Sequence, residues 1–108
     1  MKIMQGDEYD IFIDLKQDGN VLKPNIIDDI EVYIGSDIRK TYKSDEVLFN
    51  SKELKWYTRL YQQETLAMDP GQYEAIARIK YNGTPTFDVV GVKLGMLVVM
   101  PTTSREVL

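Results

Sequence analysis

The sequence contains no cysteine and no histidine among its 108 residues. Without cysteine the chain has no disulfide, no thiolate metal site and no cysteine nucleophile, a composition that suits maturation in a reducing cytosol. Without histidine it lacks the commonest general base, the commonest metal ligand and every Ser-His-Asp or Cys-His arrangement. These absences predict that the protein is not an enzyme, and we expect no cofactor and no metal.

Clustered positive charge and long apolar segments are also missing. The chain has 17 acidic and 13 basic residues, a net charge of -4, and its basic residues are spread along the chain and do not gather into a stripe. The longest apolar run, residues 89–100, is shorter than the roughly 20 residues of a membrane-spanning helix and contains Lys93. The N-terminal segment MKIMQGDEYD reaches charged residues too early for a secretory signal. We therefore expect neither a nucleic-acid nor a membrane partner.

Alternation of apolar and polar residues is the dominant pattern of the chain. In YDIFIDLK, IEVYIG and QYEAIARIKY nearly every second residue is apolar, which is typical of strands with one buried face, and in YDIFIDLK Phe12 is the exception. Asp18-Gly19 and Asn82-Gly83 favour tight hairpin turns, the second joining its strand to TFDVV and the apolar residues beyond. The segment QQETLAM consists of good helix formers but is long enough for only one connecting turn.

These signals predict an all-β fold: a small antiparallel immunoglobulin-like β-sandwich of seven or eight strands with one short helical turn. We expect a single domain over residues 1–100. Pro101 and the small polar residues after it predict a flexible C-terminal tail at residues 101–108.

The segment DPGQYEA predicts a structural corner. Asp69, Gly71 and Tyr73 have the Asp-x-Gly-x-Tyr spacing found where an immunoglobulin-like chain crosses between its sheets, and the tyrosine hydroxyl there bonds to the backbone upstream. Ala75 stands where an antibody domain has its second cysteine, and Trp56 lies on a different strand from the antibody tryptophan. The pattern therefore resembles immunoglobulin domains in architecture only.

The last predicted strand is apolar on both faces. Such a strand is either central in its sheet or covered on its second face by another subunit, and we favour the subunit because a last strand often lies near an edge. The candidate protein interface consists of Leu94, Met96, Leu97, Val98, Val99 and Met100.

Other polar and aromatic groups are weaker candidates for a site. Tyr33, Tyr57 and Tyr61 are candidate surface aromatics, which either form an interface or sugar-stacking surface or simply cover a sheet. The acidic pairs at residues 7–8, 28–29 and 45–46 lie in or beside predicted loops and lack the ligand spacing of a calcium loop. We interpret these pairs as solvated turn residues.

The order of the turn and strand motifs resembles a known family. QGD precedes the first long strand, DDIEVYIG forms a later strand, and QQETL and PGQYEAIARIKYNG follow. Over residues 4–83 the chain resembles small phage and prophage structural proteins related to the immunoglobulin-like N-terminal domain of baseplate upper proteins, from tailed phages of Gram-positive bacteria. These motifs are structural, so the resemblance transfers no catalytic residue.

The resemblance implies a non-catalytic virion protein of the tail, baseplate or neck, made in the bacterial cytoplasm and then incorporated into the particle. Its partners would be other phage structural proteins or further copies of itself. Longer family members continue into fibre-forming or receptor-proximal regions, whereas this chain ends at Leu108, so we expect an adaptor or decoration subunit. The alternative is an immunoglobulin-like module whose exposed tyrosines hold a cell-surface carbohydrate.

Overall fold

The alternating segments form the strands of two facing sheets. The computed structural model describes residues 1–88 and 91–102. The strands are β1 (Lys2–Met4), β2 (Tyr9–Ile13), β3 (Lys16–Gln17), β4 (Asn20–Val21), β5 (Ile27–Ile34), β6 (Ile38–Thr41), β7 (Val47–Asn50), β8 (Lys55–Leu60), β9 (Gly71–Tyr81) and β10 (Val92–Met100). The helix α1 spans Gln62–Ala67, and a 3-10 turn spans Pro24–Ile26.

Eight of these strands build the two layers. One sheet has the order β1-β10-β9-β5-β6 and the other has the order β2-β8-β7, while β3 and β4 form a separate two-residue hairpin. The predicted all-β, sandwich-like fold with one short helix is confirmed. The order β10-β9-β5-β6 against β2-β8-β7 corresponds to the order G-F-C-C′ against B-E-D in variable-type immunoglobulin sandwiches.

Two features of β10 differ from the sequence-based expectation. Lys2–Met4 of β1 pairs with Val98–Met100 in parallel, so the larger sheet is mixed and not purely antiparallel. Because β9 flanks the other side of β10, the last strand lies inside its sheet and β1 forms the edge. The argument from an edge position was therefore wrong, and the central position explains part of the strand's apolar character.

The core fills the space between the two sheets. Ile11 and Trp56 from the three-stranded sheet belong to the same buried cluster as Val32, Ala75 and Leu97 from the five-stranded sheet. The Trp56 indole nitrogen is satisfied there by donating to the Leu22 carbonyl oxygen at 2.7 Å. The alternation of each strand thus supplies one wall of a shared core.

The two predicted turns, Asp18-Gly19 and Asn82-Gly83, differ in how soon a paired strand follows them. Asp18 and Gly19 have φ angles of 52° and 80°, the positive values that a tight Asp-Gly turn requires. At Asn82-Gly83 the Thr84 N–H donates to the Tyr81 carbonyl oxygen at 3.2 Å, so the turn itself forms. The returning strand β10 begins only at Val92, so a longer connection follows this turn. Val89 and Val90 of the predicted partner TFDVV, and residues 103–108 of the predicted tail, lie outside the described residues.

Candidate interaction surfaces

A β-bulge divides the candidate interface of the last strand between its two faces. The pairing of β10 with β9 shifts register between Lys93 and Gly95. Leu94, before the shift, packs against the core while partly exposed. After the shift Leu97 and Val99 are buried, and the residues alternating with them point outward. The six predicted interface residues therefore do not form one surface.

The outward residues of β10 meet β1 in a surface made chiefly of methionine. We define the methionine surface as Met4, Met96, Val98 and Met100. Its three methionines are 41% to 46% exposed, and Met4 is the register partner of Met100. Methionine is flexible and polarisable, so such a surface can fit an irregular apolar partner. Sequence analysis identified its β10 part but missed Met4, since the pairing of β1 with β10 has no local signal.

The three candidate surface tyrosines do not come together. Tyr33 lies on the five-stranded sheet and donates its hydroxyl to a Glu31 carboxylate oxygen at 2.8 Å. Tyr57 lies on the other sheet, between the register partners Phe12 and Leu48. Tyr61, beyond the end of β8, is exposed, and the Lys40 ammonium lies 5.4 Å from its ring centroid. A single stacking stripe of these tyrosines is therefore absent.

Charged groups on the outer face of the five-stranded sheet are paired around Glu31. The Arg39 guanidinium approaches its carboxylate at 2.6 Å. Burial by itself would raise the pKa of Glu31, but the hydrogen bonds from Tyr33 and Arg39 and the positive charges of Arg39 and Arg78 outweigh it, so the pKa lies below its usual value. This cluster orders the sheet surface and holds a carboxylate in its charged form.

The acidic pairs serve as hydrogen-bond acceptors within the fold. Asp28 and Asp29 are strand residues of β5, so the interpretation of this pair as solvated turn residues is wrong. Asp29 is buried and its Oδ1 accepts the backbone N–H groups of Ile30 and Lys43. In the part of the chain that the structure describes, no three acidic side chains are grouped closely enough to hold a metal ion.

The predicted corner lies where the chain passes from β8 in one sheet to β9 in the other. The Tyr73 hydroxyl donates to the Asp69 carbonyl oxygen at 2.6 Å, and Gly71 between them has φ of 152°. This is the backbone contact that fixes such a corner in immunoglobulin-like sandwiches. The three residues therefore fix the path of the chain at this corner.

A second exposed apolar group, Phe12, lies on the three-stranded sheet beside the predicted surface aromatic Tyr57 but was not itself a predicted site residue. Phe12 is 58% exposed and lines an open cleft of about 550 Å³. The other apolar residues of the cleft are Ile13, Leu15, Val21 and Leu54, and its charged residues are Asp14, Lys16, Glu53 and Lys55. We call this the Phe12 cleft. The available signal was Phe12 itself, which breaks the alternation of its strand by placing an aromatic ring on the polar face.

Comparisons with known proteins add no relative to this description. No protein-family model, curated protein or solved structure that was compared with the chain matches it. Within residues 1–88 and 91–102, no helix has the length and apolar character needed to cross a membrane.

Proposed function

We propose that the chain is a non-catalytic structural protein of a phage or prophage particle, an adaptor of the tail, baseplate or neck that assembles through protein–protein contacts. The observation that carries the assembly part is the methionine surface. Three methionines that are 41% to 46% exposed lie on the outward face of β1 and β10, where Met4 is paired with Met100 and Met96 lies four residues earlier in β10. Exposed apolar groups gathered on one face of a protein are a recognised mark of interaction sites.

The virion part of the proposal is supported by the resemblance of residues 4–83 to phage structural proteins. Gly71 and Tyr73 of the structural corner belong to the PGQYEAIARIKYNG motif, which supports a frame shared with those proteins. The partner is a further copy of the chain or another structural protein of the same particle.

The carbohydrate-binding alternative requires aromatic rings gathered on one face with polar neighbours. Tyr33 and Tyr57 lie on different sheets, and the Tyr33 hydroxyl already donates to Glu31. We therefore keep assembly as the proposed function.

The experiment measures mass by light scattering behind size exclusion, for the chain alone and mixed with structural proteins encoded beside it. Met96→Asp places a charge on the methionine surface, and Ile26→Asp changes a comparably exposed residue on the 3-10 turn. We expect assembly by the unchanged chain and by Ile26→Asp, and its loss in Met96→Asp. A chain that stays monomeric alone and in every mixture would overturn the proposal, as would equal assembly of both variants.

A further inference from the structure

The strand β2 is an edge of the three-stranded sheet. Its five residues pair with β8 on one side, and among the described residues no strand pairs with its other side. An antiparallel edge directs the N–H and C=O groups of alternate residues outward, so about two or three residues of β2 present a pair of unused backbone groups. Such a row is a ready template for an added strand.

Natural sheets usually protect such an edge with lysine, proline or a covering loop. The strand YDIFI contains neither lysine nor proline, and its central outward residue is the exposed Phe12. The Lys55 ammonium lies 5.3 Å from the Phe12 ring centroid, so the ring has a cation beside it but remains largely uncovered. The usual protection by lysine or proline is therefore missing from β2 itself.

Leu54 gives a second, independent indication at the same place. It lies in the turn between β7 and β8, lines the Phe12 cleft and is exposed. Its φ of 54° is in the left-handed region, which a branched side chain adopts only at a cost in backbone strain. Glycine or asparagine would fit that conformation better, so the stability of the turn does not account for an exposed leucine there.

The charges along β2 indicate the kind of partner. Asp10 is paired with Arg59 through two contacts of 2.7 Å and 3.1 Å, but Glu8 and Asp14 flank the strand and are both exposed. The Asp14 side chain is 80% exposed, and its nearest cation, Lys16, stands 3.7 Å away. A segment with a basic residue at each end therefore complements this edge.

A second copy of β2 fits this edge poorly. Antiparallel pairing of two such strands about Ile11 would place Glu8 of one copy opposite Asp14 of the other, and like charges in opposed positions are destabilising. The charge pattern therefore selects a different segment.

We propose that the free edge of β2 and the Phe12 cleft form a strand-addition site for an extended segment of a partner protein, with lysine or arginine at its ends and an apolar side chain for the cleft. The backbone groups of β2 supply affinity, while the cleft and the flanking carboxylates select the sequence. The site is on the opposite sheet from the methionine surface and does not depend on assembly there.

The test uses a labelled heptapeptide with terminal lysines, alternate valines and one phenylalanine, and measures its binding by fluorescence anisotropy. One control peptide has glutamate in place of lysine, and another is N-methylated at alternate backbone amides. The protein variants are Phe12→Ser, Leu54→Gly and the matched control Leu48→Ser, which changes an exposed leucine on the other edge of the same sheet.

We expect the lysine peptide to bind the unchanged chain, and Phe12→Ser and Leu54→Gly to weaken it by about tenfold or more, as for a residue at the centre of an interface. The affinity of Leu48→Ser for the lysine peptide should be within about twofold of that of the unchanged chain. The N-methylated peptide should lose binding because strand addition needs its backbone groups. If the N-methylated and the unmethylated lysine peptides bound equally, the site would be a side-chain pocket and the proposal would be overturned. Undetectable binding of the unmethylated lysine peptide, or unchanged affinity in Phe12→Ser and Leu54→Gly, would also overturn it. Assembly, measured separately by light scattering, can fail or succeed independently of these results.

Discussion

A buried ion pair joins the helix α1 to the edge strand β6 of the larger sheet. The Lys40 ammonium contacts the two carboxylate oxygens of Glu64 at 2.7 Å and 2.6 Å. The Lys40 side chain is 6% exposed and the Glu64 side chain is 30% exposed, so the two charges differ in their access to water. Glu64 also accepts the Tyr61 backbone N–H at 3.0 Å, at the start of the helix.

This asymmetry predicts unequal costs for removing the two partners. Glu64→Gln keeps an oxygen for the Tyr61 N–H but leaves a buried ammonium without a counter-charge. Loss of one partner from a fully buried pair costs about 3–5 kcal/mol, and the partial exposure of Glu64 lowers our expectation to about 2–3 kcal/mol. Lys40→Met substitutes an apolar side chain of similar length and leaves a carboxylate that reaches water. We therefore expect it to lower the free energy of unfolding by about 1 kcal/mol or less.

The assay is urea unfolding at neutral pH followed by the fluorescence of Trp56, the single and buried tryptophan. The free energy of unfolding of the double variant should be close to that of Lys40→Met alone, because the methionine removes the ammonium that Glu64→Gln leaves unpaired. A coupling energy below about 0.5 kcal/mol, or a Lys40→Met cost equal to that of Glu64→Gln, would refute the reasoning.

Three further predictions concern the corner and the charged sheet face. Tyr73→Phe should lower the free energy of unfolding by about 1 kcal/mol through loss of the hydrogen bond to Asp69, and unchanged urea unfolding would contradict this. Gly35→Ala should cost about 1–3 kcal/mol, since its φ is 60° and the added Cβ would stand 2.8 Å from Tyr73 Cδ1; wild-type stability in a thermal melt would disprove it. Because the pKa of Glu31 is lowered on folding, its ionisation stabilises the fold above the ordinary value of 4.5, and this contribution is lost as the pH falls through the lowered value. The stability difference between the wild type and Glu31→Gln should therefore shrink between pH 7 and pH 3, and a constant difference would argue against this linkage.

The strands and turns that depend on local pattern could be predicted from the sequence. Ile11 and Ile13 are both buried, because a period of two places them on the same side of the strand β2. Asp18-Gly19 forms the expected turn, since the positive φ angles are a property of these two residues.

The features that depend on distant pairing could not be predicted. The short strand β1 has no alternation long enough to detect, and its position depends on β10 at the other end of the chain. The bulge at Gly95 reverses which residues of β10 face inward, and because this strand is apolar on both faces its alternation could not show which residues face the core. The candidate surfaces were predicted only in part for the same reason. Met4 belongs to the methionine surface, and Leu54 belongs to the Phe12 cleft, only because separate elements of the chain come together.

The parallel pairing of β1 with β10 has a consequence for synthesis. Lys2–Met4 leave the ribosome long before their register partners Val98–Met100. The five-stranded sheet therefore cannot be completed until Met100 has emerged, since contacts between such distant residues form only after both have emerged. Met4 meets Met100 only at that stage, so a truncated chain cannot present the complete methionine surface to an assembling partner.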